Sequence, residues 1–256
     1  MSKPINVNQW YGWTPDRPDQ RDKLYSAIAA PPKILPKSVD LRPGCSPVED
    51  QGQLGSCTAN ALVGNLEFLE KSGGKPVADL SRLFIYYNER VMEGTVSEDS
   101  GAMIRDGVKS LVNLGVCTEA KWPYNIAKFA VKPPAACFKE GLKHQVSSYH
   151  RILGLQQMKQ CLAEGYPFVF GFTVYESFES QQVAKTGVVP MPKPNEKTLG
   201  GHAIMAVGYD DASKRLIIRN SWGTDWGMQG YFTMPYDYAS NNNLADDFWT
   251  LRAMEL

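Results

Sequence analysis

From Cys57 to Glu70 apolar residues recur at three- and four-residue steps, at Ala59, Leu62, Val63, Leu66 and Leu69. This is the spacing of a helix that buries one face. A second helix follows, with Ser81 as cap, Leu83, Phe84, Tyr87 and Val91 on its apolar side and Gly94 as its stop. A third, capped by Asp99 or Ser100, presents Met103, Ile104, Val108, Leu111 and Val112 and ends before Gly115. Residues 55–115 thus read as helical. The second half changes character. One short helix is expected at 155–164, among strand-like runs at Val146–Ile152, Phe168–Tyr175, Ala203–Tyr209, Arg215–Arg219, Gly230–Met234 and Trp249–Met254. Their spacing predicts an antiparallel sheet or barrel. Helices first and strands later point to an α+β fold with two segregated halves. Gln181–Gly201, rich in Pro, Lys and Gly, reads as a long loop of the kind that often carries function.

Residues 1–37 are unlike the rest. Six prolines fall there, which makes the segment mostly extended, with a short helix expected around Arg21–Ala29. Trp10, Tyr11 and Trp13 sit on this arm. They should dock, either on the domain surface or as a plug over a cleft. The chain is 256 residues long with 27 basic and 27 acidic side chains. A balanced charge argues against a nucleic-acid partner. No apolar run approaches the roughly 18 residues that cross a bilayer, so no membrane insertion is expected. The first residues lack the apolar core of a secretory signal, which suggests the cytoplasm or export without a cleaved signal.

Five cysteines are too few for a disulfide scaffold, and no CxxC pair or zinc-like Cys/His spacing occurs. No metal or cofactor is therefore called for. Cys45, Cys117, Cys137 and Cys161 show no reactive context and read as buried thiols, with one bridge among them left open. Of three histidines, His144 and His150 have no acidic or cysteine partner nearby in the sequence. Asp99-Ser100-Gly101 matches the core of an aspartic protease motif, but reads better as a helix cap.

One segment stands apart. Gln51-Gly52-Gln53-Leu54-Gly55-Ser56-Cys57 delivers a cysteine to the first turn of a long helix. Unpaired N–H groups and partial positive charge there favour a thiolate. A neighbouring imidazolium would favour it further, bringing the thiol pKa from about 8.5 into the range of roughly 3.5–7.5. His202 opens an apolar strand in Gly200-Gly201-His202-Ala203-Ile204, and Asn220-Ser221-Trp222-Gly223 follows the next strand. An Asn220 carbonyl can accept a ring proton and aim the other nitrogen at sulfur, with Trp222 shielding that bond.

These segments together resemble the papain-like cysteine peptidases. A glutamine six residues before the cysteine is present as Gln51, and the cysteine-to-histidine and cysteine-to-asparagine separations are 145 and 163 residues, against about 130–150 in that family. Leu35-Pro36-Lys37-Ser38-Val39-Asp40 is similar to the start of a mature enzyme. The likeness covers residues 35–256 and is closest to the bacterial, xylellain-like branch. It implies a two-lobed fold: a Pro-rich arm at 1–36, then a peptidase domain at 37–256 with a helical lobe over 50–145. The barrel-like lobe takes 146–256 plus 37–49, and the cleft lies between the lobes. It implies that Cys57 attacks the scissile carbonyl and that His202 pairs with it and protonates the leaving amine. Asn220 then orients His202, and the Gln51 amide with the Cys57 N–H stabilises the oxyanion. It implies a peptide or protein substrate and an endopeptidase, and a monomer is expected.

Two departures bear on this reading. Leu54 stands where better-known members have a bridged cysteine, and Thr58 replaces an aromatic, altering the cleft floor. The arm is far shorter than the usual helical propeptide; Trp10 or Trp13 is expected to cover the cleft. The family's dominant pocket takes the second residue on the acyl side, and Ser100, Gly101, Gly200, Gly201 and Ala203 are its expected lining. Small residues and no evident buried acid suggest an apolar or aromatic preference. The rival readings keep the fold but not the hydrolysis: a peptide-binding or regulatory protein without turnover, or an acyl transferase or ligase on the same dyad.

Overall fold

The computed structural model describes residues 11–29, 34–76 and 78–254. Strand β1 (Ser38–Asp40) leads into three helices, α1 (Cys57–Ser72), α2 (Arg82–Glu93) and α3 (Ile104–Asn113). Then come α4 (Ala135–Gly141), β2 (Val146–Arg151), α5 (Gly154–Ala163), β3 (Phe168–Tyr175), α6 (Gln181–Thr186) and β4 (Thr198–Asp210). The chain ends with β5 (Arg215–Arg219), β6 (Tyr231–Pro235), α7 (Tyr236–Ala239) and β7 (Ala245–Met254). The sheet runs β2-β7-β3-β4-β5-β6, with β1 paired to β4; every pairing among these strands is antiparallel. This is the expected α+β architecture.

Side chains alternate across β3 and β4, and the alternation divides the interior. Phe168, Phe170, Phe172, Ile204 and Ala206 join Leu216, Ile218 and Phe232 in one core. Val169, Ala203, Met205 and Val207 face the other way, into a core with Leu62, Leu66, Phe84 and Val108. Helix α1 is buried from Cys57 to Glu70 and packs on α2, α3, β3, β4 and β7. A helix enclosed on all sides is a rigid mount, and the cysteine is its first residue.

Several local expectations need correction. Ser81 does cap α2, accepting from the Phe84 amide at 3.2 Å, but neither Asp99 nor Ser100 caps α3, whose cap is Met103 without a side-chain bond. Asp99 instead accepts from the Gly55 amide at 3.0 Å and from the Tyr86 hydroxyl. The expected helix near Arg21–Ala29 is a single 3-10 turn at Tyr25–Ala27. The expected loop 181–201 contains α6, and β4 begins inside it at Thr198. His144 does find an acid, Glu70, at 2.7 Å. All five cysteines are free thiols.

Candidate active site

Three segments meet at the junction of the two cores. Cys57 opens α1, His202 lies on β4, and Asn220 follows β5 directly. Since β4 and β5 are neighbours in the sheet, the imidazole reaches the asparagine: His202 Nε2 lies 2.8 Å from Asn220 Oδ1. That oxygen also accepts from the Ser221 amide at 2.9 Å. Two donors fix the orientation of the Asn220 amide and make Nε2 the protonated nitrogen of a neutral His202. Nδ1 is then a lone-pair acceptor, and it has no partner among the described residues. The next residue, Ala203, points its amide at the Cys57 sulfur from 3.3 Å. Trp222 stacks on the His202 ring at 4.9 Å and 29°, and Phe172 and Phe178 meet its edges. These rings keep water from the His202–Asn220 bond.

Gln51 is tied to the same corner. Its amide N–H donates to the Ser221 carbonyl at 2.8 Å, its Oε1 accepts from Ser221 Oγ at 2.6 Å, and its Nε2 donates to the Leu54 carbonyl at 2.9 Å. Tyr124, not foreseen from the sequence, braces the loop by donating to the Gln51 carbonyl at 2.9 Å and touching Ser56 Oγ at 2.5 Å. Thr58 is not cleft floor. It is fully buried and its hydroxyl donates to Glu89 at 2.8 Å. Burial pushes the Glu89 carboxyl well above its usual range.

A family model described as papain family cysteine protease matches residues 35–250. The chain belongs to the papain family of cysteine proteases. Among solved structures it is similar to xylellain, a cysteine protease from Xylella fastidiosa, at 44% identity and a TM-score of 0.90 over 96% of each chain. Among curated sequences it is 42% identical to an uncharacterized peptidase C1-like protein of Acanthamoeba polyphaga mimivirus, covering 96% of this chain and 88% of that one. Cysteine proteinase 3 of Entamoeba histolytica is 30% identical over 90% of this chain and 71% of its own.

The cleft of this papain-family protease is occupied by its own arm. Trp13 donates its amide to the Gly201 carbonyl at 2.9 Å, Ala102 donates to the Gly12 carbonyl at 2.7 Å, and Thr14 donates to the Ala102 carbonyl at 3.0 Å. The Gly12 amide also reaches the Cys57 sulfur. Gly12 has to be glycine, because a Cβ there would stand 1.8 Å from the Gly55 carbonyl oxygen. Tyr11 lies edge-on to His202 at 5.9 Å and near Trp222 at 6.2 Å, while Trp10 falls outside the described residues. Further along, Asp22 pairs with Arg105 at 2.6 Å and with Arg151 at 3.1 Å, and Asp16 accepts from the Trp249 indole at 2.8 Å.

This cover bears on the electrostatics of Cys57 and His202. Burial lifts the Cys57 thiol to about 12 and lowers the His202 imidazole to about 4. Both groups are neutral under the arm, since loss of solvent outweighs the amides aimed at the sulfur. Of the expected pocket residues, Gly101, Gly200 and Gly201 abut Gly12, Tyr11 and Trp13 respectively, whereas the Ser100 hydroxyl turns to Thr95 Oγ1 at 2.8 Å. A buried acid is present after all: Asp247, 0% exposed.

Proposed function

We propose that the enzyme is an endopeptidase working through Cys57 and His202. With the arm lifted, water and the amide dipoles of the first turn of α1 reach the sulfur. His202 Nδ1 then takes the thiol proton, giving a thiolate and an imidazolium whose Nε2–H is held by Asn220. The thiolate attacks the scissile carbonyl, and the oxyanion is met by the Cys57 amide and the Gln51 side chain. The imidazolium protonates the departing amine. Water, deprotonated by His202, cleaves the thioester. The observation that carries this reading is the convergence of the Ala203 amide on the Cys57 sulfur at 3.3 Å beside a His202–Asn220 bond of 2.8 Å.

The arm from Tyr11 to Asp22 acts in this reading as a built-in cover. In a substrate the acyl portion precedes the leaving amine along the chain. His202 serves the leaving amine, so the side of the cleft at Tyr11 takes the leaving portion and the side at Trp13 takes the acyl portion. The arm passes from Tyr11 to Trp13, the reverse of a substrate, and therefore fills the cleft without presenting a scissile bond in register. Covalent labelling by an epoxide thiol inhibitor tests the dyad. Labelling lost in Cys57→Ala and slowed in His202→Ala, with hydrolysis and no transfer to added amines, supports the reading. Labelling that persists in Cys57→Ala refutes it.

A further inference from the structure

Behind Cys57 and His202, two buried amide side chains each keep one end without a protein partner. Asn60 stands three residues after Cys57, on the same side of α1 and about one turn further along. Its Nδ2 donates to the Ser56 carbonyl at 2.9 Å and to Ser56 Oγ at 3.1 Å. A carbonyl only accepts, so that end of the amide is the nitrogen, and the other end, Oδ1, is an acceptor. Asn220 is fixed in the opposite sense. Its Oδ1 takes the His202 and Ser221 N–H groups, which leaves Nδ2, a donor. Asn60 is 7% exposed and Asn220 3%. Asn60 Oδ1 and Asn220 Nδ2 are both buried, and neither has a partner among the described residues.

Both residues line one small cavity of about 10 Å³ between the start of α1 and strands β4 and β5. Glu49, Ala203, Arg219 and Ser221 share its wall. That is room for one water, and a polar wall is what retains one. A bare buried donor and a bare buried acceptor are both costly, and a single bridging water satisfies the two at once. Beyond Asn60 the polar chain continues. Ser56 Oγ meets the Tyr124 hydroxyl at 2.5 Å, and that hydroxyl donates to the Gln51 carbonyl at 2.9 Å. The loop that carries Gln51 and the imidazole of His202 are thereby ends of one hydrogen-bonded path, closed by the water.

We propose that Asn60 is a positioning residue for His202, acting through one buried water that accepts from Asn220 Nδ2 and donates to Asn60 Oδ1. This rests on the peptidase reading above. Asn60 gives no atom to the reaction. An amide held only at its oxygen can swing, whereas one held at both ends keeps Oδ1 aimed at Nε2 while the ring gains and loses charge. Linked hydrogen bonds also polarise one another, so a water drawing on Nδ2–H makes Oδ1 a better acceptor for the imidazolium.

Two measurements test this. A high-resolution crystal structure of the unmodified full chain should show an ordered water within about 3.2 Å of both Asn60 Oδ1 and Asn220 Nδ2. A cavity without that density overturns the bridge, whether or not any variant folds. Kinetics then separate positioning from mere support of α1. Asn60→Leu is placed in the full chain carrying Trp13→Ala, and kcat is read apart from KM, because an arm that competes with substrate raises KM and leaves kcat alone. The expected fall in kcat is about three- to tenfold, the range for one lost hydrogen bond, with KM little changed. Added to Asn220→Ala, the same substitution should change kcat by less than about twofold, since the residue through which Asn60 acts is gone. An unchanged kcat in Asn60→Leu, or a full loss that persists beside Asn220→Ala, overturns the positioning role. A Trp13→Ala parent that neither hydrolyses peptide nor is labelled at Cys57 overturns the peptidase reading and this one with it.

Discussion

Replacing Trp13 by alanine in the full chain removes the side chain that seals the cleft and leaves the proposed catalytic groups, Cys57 and His202, untouched. Trp13 is 9% exposed, and its indole donates to the buried carboxyl of Asp247. Truncating a buried aromatic of this size costs about 3–5 kcal/mol. If that loss falls on docking, the closed arrangement becomes about a hundredfold or more less favoured relative to the open one. The assay is the second-order rate of Cys57 alkylation by a small thiol reagent, read beside hydrolysis of a fluorogenic peptide. Both should rise in proportion, up to the limit at which the arm is fully released. The remaining contacts, Arg105 with Asp22 and Trp249 with Asp16, lie on the arm beyond Trp13, so the domain itself stays folded. An unchanged or slower alkylation rate, with circular dichroism and melting temperature showing an intact fold, would refute the idea that Trp13 guards the sulfur.

Asn220→Ala removes the oxygen that fixes the His202 tautomer, and kcat/KM should drop by about tenfold to a hundredfold, as for the loss of one hydrogen bond to a charged group. An equal rate in the variant would show that the ring is held by its aromatic neighbours alone. The wild-type alkylation rate, relative to Trp13→Ala, should climb as pH rises through about 7, and Asp247→Asn should flatten that climb. Burial and the neighbouring Asp16 push the Asp247 carboxyl up to about 7 with the arm down, so docking is favoured while Asp247 is protonated and that support is lost above this pH.

The proposed catalytic corner is legible because its signals are local. Gln51 and Cys57 stand six residues apart on one loop, and His202 and Asn220 each announce themselves beside a strand whose pattern is plain. The strands Phe168–Tyr175 and Arg215–Arg219 fall where alternation predicts them. What escapes is long-range. Asp99 looks like a helix cap, because nothing in sequence says that the Gly55 amide, 44 positions away, will claim it. Asp247 follows another aspartate near a chain end, a pattern shared by any solvated turn. Its buried partner Trp13, which donates to it, lies 234 positions away. Thr58 and Glu89 escape for the same reason, as their pairing depends on how α1 and α2 pack.

Covering the dyad changes where its proton sits rather than how many protons it holds. Under the arm the pair is a thiol and a neutral imidazole, because the thiol is lifted to about 12 and the imidazole lowered to about 4. Once exposed, the proposed thiolate–imidazolium pair also carries one proton. While the exposed pair keeps that one proton, docking exchanges no proton at Cys57 and His202, and in that window the dyad does not make docking depend on pH. A pH response must come from elsewhere along the arm. The acids facing Asp247 are Asp16 and Asp22 from the arm and Asp246 beside it, with Arg151 and Arg105 opposing them. Of these, Asp16 and Asp247 both have raised pKa values caused chiefly by burial, and they share the cover that Trp13 provides. Nucleophile chemistry and cover control are thus assigned to different titrating groups, so a substitution at Asp247 can alter when the cleft opens without altering the proton inventory of Cys57 and His202.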